Sequence, residues 1–501
     1  MNGSNFEGWA RKGYIQVTVP HGLAHNDQGA RQVKVETLLN HAMTAFKQKF
    51  LDICPEGPLP DLTPDSFAHL VQIFKESFSA CGTTALKAYL ESCDEKDDVL
   101  ASSFGKVRFK MKSGKEFLTP FGWVAVERRF YQTDAGDVGY VPLDEKWDMR
   151  GETLTPIVRE AIHFISGHNT PKVAEVLLSK CALFNPSRTA MLHANEGFGA
   201  VWKQHGEAIL AKVREKETVP AHTHAVVVSL DGVNVLMHEK GKKRGRKRRR
   251  PSEKPSEETP TSYQNAMVGS VSVYRPPEKE EKGPQRLASR YVSRMPEEEF
   301  PEFKAALEAE VAVTFSKLPA RCRKIVLVDG SRALWSYVKA CPLYKRCLFL
   351  VDYWHAAEYL AKAAEAAYGE KAYDGQGWFR KWKEALLTEK GGAKRALRAM
   401  AYLLKSRNLR GKSRKDLLAS MRFFRNNLKR MNYAGFHDRN LPVGSGVVEA
   451  ACKSIVKARM CQSGMRWTKE GGETILSIRT LIKSNRWDEC WSEYQAIRLA
   501  A

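Results

Sequence analysis

Three apolar runs in this chain each end on an aspartate: "AVVVSLDGV" at Asp231, "KIVLVDGS" at Asp329 and "RCLFLVDYWH" at Asp352. Short apolar runs bounded by glycine or by a helix-like segment read as buried strands. In an α/β sheet the ends of parallel strands face one crevice, where ligands bind. A single strand-end aspartate is ordinary, because it forms turns and caps helices. Three in one sheet point to a shared carboxylate site. Close carboxylates repel, so a pair such as Asp231 and Asp329 is usually stabilised by hard divalent cations with oxygen ligands.

The order of elements around these runs predicts the fold class. The segment from Arg31 to about Cys93 reads helical; "VRFKMK" and "GWVAVERRFYQ" alternate as antiparallel strands closed by "GYVPLDE". Between Leu154 and Gly199 three short helices are expected, with Thr170-Pro171 and Asn185-Pro186 as N-cap and first-turn pairs. They suit either a helix-turn-helix or an ordinary helical connector. From Ala225 the pattern is β-β-β-α-β-α-β, with the strand ending at Asp231, "VNVLMHE" and "AMVGSVSVYR" as the first three strands. Early antiparallel strands followed by parallel ones joined by helices are the ribonuclease H-like order. Ala356 to Asn440 is almost all helical, and a final helix starts near Ser445.

That helix supplies a further acid. In "LPVGSGVVEAACKSIVKARM" Glu449 falls in the first turn, one position too late for a capping box with Ser445, and Lys453 and Lys457 follow at i+4 spacing on the same face. A solvated salt-bridge ladder and a metal-holding helix lying along a phosphodiester both fit this stripe.

The ordered set "VSLDG", "VLVDGS", "LVDYWHAAEYL" and "PVGSGVVEAACKSIVKARM" resembles the DDE transposases of bacterial insertion sequences, of the Kra type related to the Mutator-like group, over roughly residues 100 to 485. The resemblance implies a ribonuclease H-like catalytic core in which Asp231, Asp329 and Glu449 are the catalytic, metal-binding triad. It implies a helical insertion before the glutamate helix, and it makes "DYWH", Asp352 to His355, the group's D-x-x-H signature. Asp352, His355 and Lys453 are then supporting residues. Two Mg²⁺ or Mn²⁺ ions about 4 Å apart would activate water or a 3′-hydroxyl and stabilise the leaving oxygen at phosphorus. Where relatives often carry cysteine pairs after the "ERRFY" strand, this chain reads "QTDAGDVG", which argues against a zinc ribbon there.

Charge gives the partner. The formal net charge is +23, and two segments account for all of it: Lys240 to Arg250, with nine basic residues and no acid, and Gln376 to Asn432, with 17 basic and 3 acidic residues. Localised basicity of this kind is the footprint of a polyanionic partner such as nucleic acid, and the resemblance implies double-stranded DNA. Candidate phosphate contacts are Lys247, Arg248, Arg249 and Arg250 in the first segment, Arg380, Lys381, Arg422, Arg425, Lys429 and Arg430 in the second, and Arg188 and Lys457 outside them. The interleaved Trp378, Phe379, Trp382, Phe423 and Phe424 serve as helical core or as stacking platforms for unpaired bases, with core favoured.

The expected organisation is a multidomain α+β and α/β protein. Residues 1–100 form a helical region, 101–150 a small antiparallel β unit, and 151–215 a helix-turn-helix-like segment. Residues 220–355 form the catalytic core with a basic loop at 240–260, 356–440 the all-helical basic insertion, and 441–501 the helices completing the core. "GKS" at Gly411 to Ser413 lacks a P-loop's first glycine, so no nucleotide cofactor is expected. No apolar stretch is long enough for a membrane span, and the ten cysteines contain no C-x-x-C pair, so the expectation is a cytoplasmic protein with reduced thiols; the resemblance adds the expectation of a homo-oligomer on DNA. A structure-selective nuclease and a non-catalytic DNA-binding protein are the alternatives.

Overall fold

The computed structural model describes residues 35–54, 63–238 and 263–500. The chain divides into two compact units, Met1–Asp94 and Glu95–Ala501. In the first, α1 (Val35–Ile53) and α2 (Pro64–Ser92) pair through the rings of Phe46, Phe50, Phe74 and Phe78, with centroids 5.1 to 6.4 Å apart. A capping box starts α2: the Thr63 hydroxyl accepts from the Ser66 N–H at 3.1 Å, and Ser66 Oγ accepts from the Thr63 N–H at 2.8 Å.

The second unit opens with an antiparallel sheet of β1 (Val99–Ser102), β2 (Gly105–Thr119), β3 (Gly122–Thr133) and β4 (Gly139–Tyr140) in sequence order. Gly122, at φ 121°, makes the tight return between the two long strands. A short helix, α3 (Pro142–Lys146), leads to α4 (Pro156–His168), α5 (Pro171–Cys181) and α6 (Arg188–Lys216). Thr170 caps α5 as expected, its hydroxyl accepting from the Val173 N–H at 3.3 Å. The cap of α6 is Ser187 rather than Asn185, because its hydroxyl reaches the Ala190 N–H at 3.2 Å.

The third of these helices is not short. Its first half packs on α4 and α5 around Val158, Ile162, Leu178 and Met191, and its second half runs on into a different core. There Phe198, Ile209 and Val213 meet Ile478, Trp487, Trp491 and Tyr494 of the chain's C-terminal end. Those residues lie nearly 300 positions downstream, beyond the reach of any local pattern.

The second sheet contains β5 (Ala225–Leu236), β6 (Tyr263–Arg275), β7 (Gln285–Arg294), β8 (Arg323–Val328) and β9 (Leu348–Val351) in the order β7-β6-β5-β8-β9. The first three are antiparallel; β8 and β9 run parallel to β5. The expected β-β-β unit is present but built from different residues. The run through Asp231 and "VNVLMHE" is one strand, and the third strand is the arginine-rich "QRLASRYVSR". Its polar side chains are satisfied by distant partners: Ser293 meets Thr480 at 2.6 Å, and Arg290 donates to Glu217 at 2.7 Å and to the Ser484 carbonyl at 3.0 Å.

Helix α7 (Pro301–Ser316) crosses from β7 to β8, and α8 (Arg332–Ala340) crosses from β8 to β9. Then come α9 (Tyr353–Tyr368), α10 (Tyr373–Thr388), α11 (Gly392–Ser406), α12 (Gly411–Asn427) and α13 (Tyr433–His437). Leu386, Met400, Leu417 and Phe424 of these helices belong to the same hydrophobic core as Val226, Leu327 and Leu350 of the sheet. The chain closes with a helix of three parts, α14 (Gly446–Ala451), a π-turn (Cys452–Lys457) and α15 (Ala458–Met460), followed by α16 (Lys469–Lys483) and α17 (Trp487–Ala500).

A buried ionic cluster joins four elements. Glu310 of α7, 2% exposed, accepts from Arg214 of α6 at 2.9 Å and from Arg486 at 2.8 Å, and Arg486 continues to Glu217, which also holds Arg290 of β7. All ten cysteines are unbridged, and no helix of the described residues is long and apolar enough to cross a membrane.

Candidate metal centre

The sheet stops being complete at one place. β5 pairs with β6 along its whole length but with β8 only over Ala225 to Val228. Beyond Val228 that edge is covered by the helix from Gly446: Val233 and Val235 share a core with Val448, Ala451, Cys452 and Ile455. Asp231 lies in this second half of β5, so the strand end expected for it is in fact the end of pairing with β8. Its Oδ1 accepts from the Gly232 N–H at 2.7 Å, and the Cys452 thiol donates to Oδ2 at 3.6 Å. Burial, then the Asp231 carboxylate, push the Cys452 thiol far above its usual range. Cys452 is one helical turn from Glu449, so Asp231 and the glutamate helix are in direct contact.

Asp329 follows the last residue of β8. Its Oδ1 accepts from the Ser331 N–H at 2.8 Å, and its carbonyl accepts from the Trp335 indole N–H at 2.7 Å. Burial raises the Asp329 carboxyl above the usual carboxylate range; the Ser331 N–H and His355 oppose this, and the Asp231 and Asp352 carboxylates add to it. The carboxylates of both flanking strands therefore act on Asp329.

Asp352 follows β9 and is fully buried, at 0% exposure. Its Oδ1 caps α9 by accepting from the Trp354 N–H at 2.7 Å. Its Oδ2 accepts from the Ser445 hydroxyl at 2.5 Å and lies 3.4 Å from His355 Nδ1. Burial works against the charged form, but His355, Ser445 and the Trp354 N–H together outweigh it and hold the carboxyl below its usual range. The hydrogen bond to Asp352 lifts His355 to about 9, against the opposing effect of burial.

Glu449 joins this network through Ser445, whose Oγ is 2.9 Å from Glu449 Oε1. A hydroxyl has one proton to give. That proton is shared between Asp352 Oδ2 and Glu449 Oε1, and among the described residues Glu449 forms no ion pair, which suits a hard cation. Ligand atoms of Asp352, His355 and Glu449 lie within 4.8 Å of one another.

The π-turn begins three residues after Glu449. Widening a helix to i→i+5 bonding breaks a strict i+4 stripe, so Lys457 is rotated away from the line through Glu449 and Lys453; both lysines are exposed. Arg479 of α16 holds the π-turn, donating to the Ile455 carbonyl at 2.5 Å and also to the Ser454 and Gly167 carbonyls. Sequence reasoning missed Ser445 as a bridge, Cys452 and Arg479. "GSG" suggested only a cap at Ser445, and nothing local marks an arginine that binds 24 residues back.

The basic candidates divide. Arg380 and Lys381 on α10, Arg422 and Arg425 on α12, and Lys429 beyond it are exposed. Arg430 is half-buried, its guanidinium 4.2 Å from the Trp335 ring centroid and its Nη2 donating to Asn427 Oδ1 at 2.7 Å. Arg188 pairs with Glu175 at 2.6 Å. Lys247, Arg248, Arg249 and Arg250 lie outside the described residues. Phe424 is fully buried and Trp378, Phe379, Trp382 and Phe423 pack against the main core, in keeping with the core reading.

No family model matches this chain, and no curated protein matches it. Among solved structures it is similar to the Drosophila P element transposase strand transfer complex, with a TM-score of 0.33 and 8% identity over 69% of this chain and 95% of that one. At that level the site has to be argued from its own residues.

Proposed function

We propose that this chain is a DDE-type transposase with a ribonuclease H-like core, which cleaves DNA at element ends and joins the 3′-hydroxyl to target DNA. The observation that carries it is a set of links: Glu449 shares the Ser445 hydroxyl with Asp352, the next turn of its helix touches Asp231 through Cys452, and Asp329 follows the strand between those that carry Asp231 and Asp352. The strand order, antiparallel then parallel, and the motif resemblance support the fold assignment.

Asp231, Asp329 and Glu449 are the cation ligands in this reading, and Asp352 is a positioning residue. Asp352 is fully buried with donors on both oxygens, whereas Asp231, Asp329 and Glu449 are each partly exposed. Asp329 instead keeps one oxygen free of protein donors among the described residues, and Glu449 shares its only donor. Mg²⁺ or Mn²⁺ bound there would supply activation of the attacking oxygen and stabilisation of the leaving one. The protein's own part is to hold three carboxylates on separate rigid elements. Ser445 fixes Glu449 against Asp352, and exposed cations on α10 and α12 bind phosphates along the strand.

The test is to incubate the full chain with labelled DNA flanking its own coding sequence, in Mg²⁺ or Mn²⁺, and to score nicked and joined products separately. Both products are expected. Nicking without joining would leave a nuclease, and DNA binding without either product would overturn catalysis.

A further inference from the structure

One residue past Asp329 an open cleft of about 610 Å³ begins, between α8, α9 and α12. Four of its lining residues are cations, Arg332, Lys339, Arg422 and Arg430, and none is an acid. Among the described residues none of the four forms an ion pair. Arg430 is the telling member. Its guanidinium is half-buried over Trp335, among the described residues its Nη1 is buried with no hydrogen-bond partner, and burial lowers its pKa. A desolvated cation without a counter-charge is costly unless a ligand supplies one.

The cleft is tied to the carboxylate site through the backbone. Trp335, under Arg430, donates its indole N–H to the Asp329 carbonyl at 2.7 Å. Gly330 is needed because Phe423 fills the space beside it: a Cβ there would sit 2.3 Å from the ring. The cleft is in the size range that holds one or two nucleotides.

We propose that this cleft is a phosphate site for a short unpaired DNA strand leading away from the phosphodiester held at the carboxylates. The link to DNA rests on the proposed function; the demand for an anion does not. Arg332, Lys339, Arg422 and Arg430 neutralise the strand's phosphates.

Binding of a fluorescein-labelled thymidine hexanucleotide to the full chain, without divalent metal and over a range of salt, tests this. The variant R332Q/K339Q/R422Q changes only exposed side chains and should bind at least tenfold more weakly, with a salt slope lower by about 2 for three cations on a single strand. Arg430→Met, which keeps packing on Trp335, should also weaken binding at least tenfold. Unchanged hexanucleotide affinity in the triple variant would overturn the site. Binding of a 20-base-pair duplex should fall less than that of the hexanucleotide, because Arg380, Lys381, Arg425 and Lys429 remain; an equal fall would overturn the single-strand assignment. Pyrophosphate and dTTP should displace the hexanucleotide only at millimolar levels; tighter binding of dTTP than of the hexanucleotide would make the cleft a nucleotide pocket and overturn the strand reading. D329N/E449Q should keep full hexanucleotide binding, so a failure of the cleavage assay and a failure of the cleft are separately visible.

Discussion

Ser445→Ala isolates the bridge between Asp352 and Glu449 without touching a carboxylate. The hydroxyl lies 2.5 Å from a fully buried Asp352 oxygen and 2.9 Å from Glu449 Oε1. Removing it takes away one charge-assisted hydrogen bond from a desolvated carboxylate, about 1.5–3 kcal/mol. Asp352 retains the Trp354 N–H and His355, so the fold survives and the loss should show as a lowered urea midpoint with an unchanged m-value. Glu449 loses the group that fixes its rotamer. Outer-shell changes of this kind cost about 10- to 100-fold in metal affinity or activity, so the metal concentration for half-maximal cleavage should rise by that factor. Ser445→Thr, which keeps the hydroxyl, should restore most of both. An Ala variant with normal metal dependence would refute the bridge, whatever its stability.

Other outcomes follow from the same contacts. Asp231→Asn, Asp329→Asn and Glu449→Gln should each abolish cleavage and joining while the circular dichroism spectrum and DNA affinity stay intact; His355→Ala should only reduce activity, and a dead His355→Ala beside an active Asp329→Asn would reverse the assignment. Burial holds His163 down at about 4, despite its hydrogen bond to Asn195, while the unfolded chain titrates near 6.5. The unfolded state therefore binds the proton first, and about 3 kcal/mol of stability should be lost as pH falls from 6.5 to 4; denaturant titrations of His163→Gln should lack that loss. Arg486→Met leaves Glu310 and Glu217 short of their main partner in a buried cluster and should cost about 3–5 kcal/mol by urea unfolding, with a cost below about 1 kcal/mol counting against the cluster. Burial raises the Glu310 carboxyl, but Arg486 and Arg214 outweigh it and hold it low, so this stabilisation is full above the ordinary carboxylate range and fades as pH falls through it.

Much of the crevice was legible in the sequence because strands and helix starts are local. The apolar runs before Asp329 and Asp352 end where β8 and β9 end. Glu449 sits in the first turn after Ser445, as the glycines around that serine indicate. The arginine-rich β7 was illegible, because Arg290 and Arg294 are neutralised by Glu217 and Glu473, and no window of neighbours contains those partners. The length of α6 was likewise hidden, since its second half is held by Trp487, Trp491 and Tyr494.

Sequence by itself determined which carboxylates stand at element ends, because a switch from an apolar run to an acid and a glycine is written in consecutive residues. Tertiary structure alone decided how the acids differ. Asp352 and Asp329 look alike as strand-end aspartates, yet one is sealed under Ser445 and His355 and held low, while the other has a single protein donor among the described residues and is raised chiefly by burial. That difference comes from desolvation and from donors brought in from 93 residues away, both set by through-space distance.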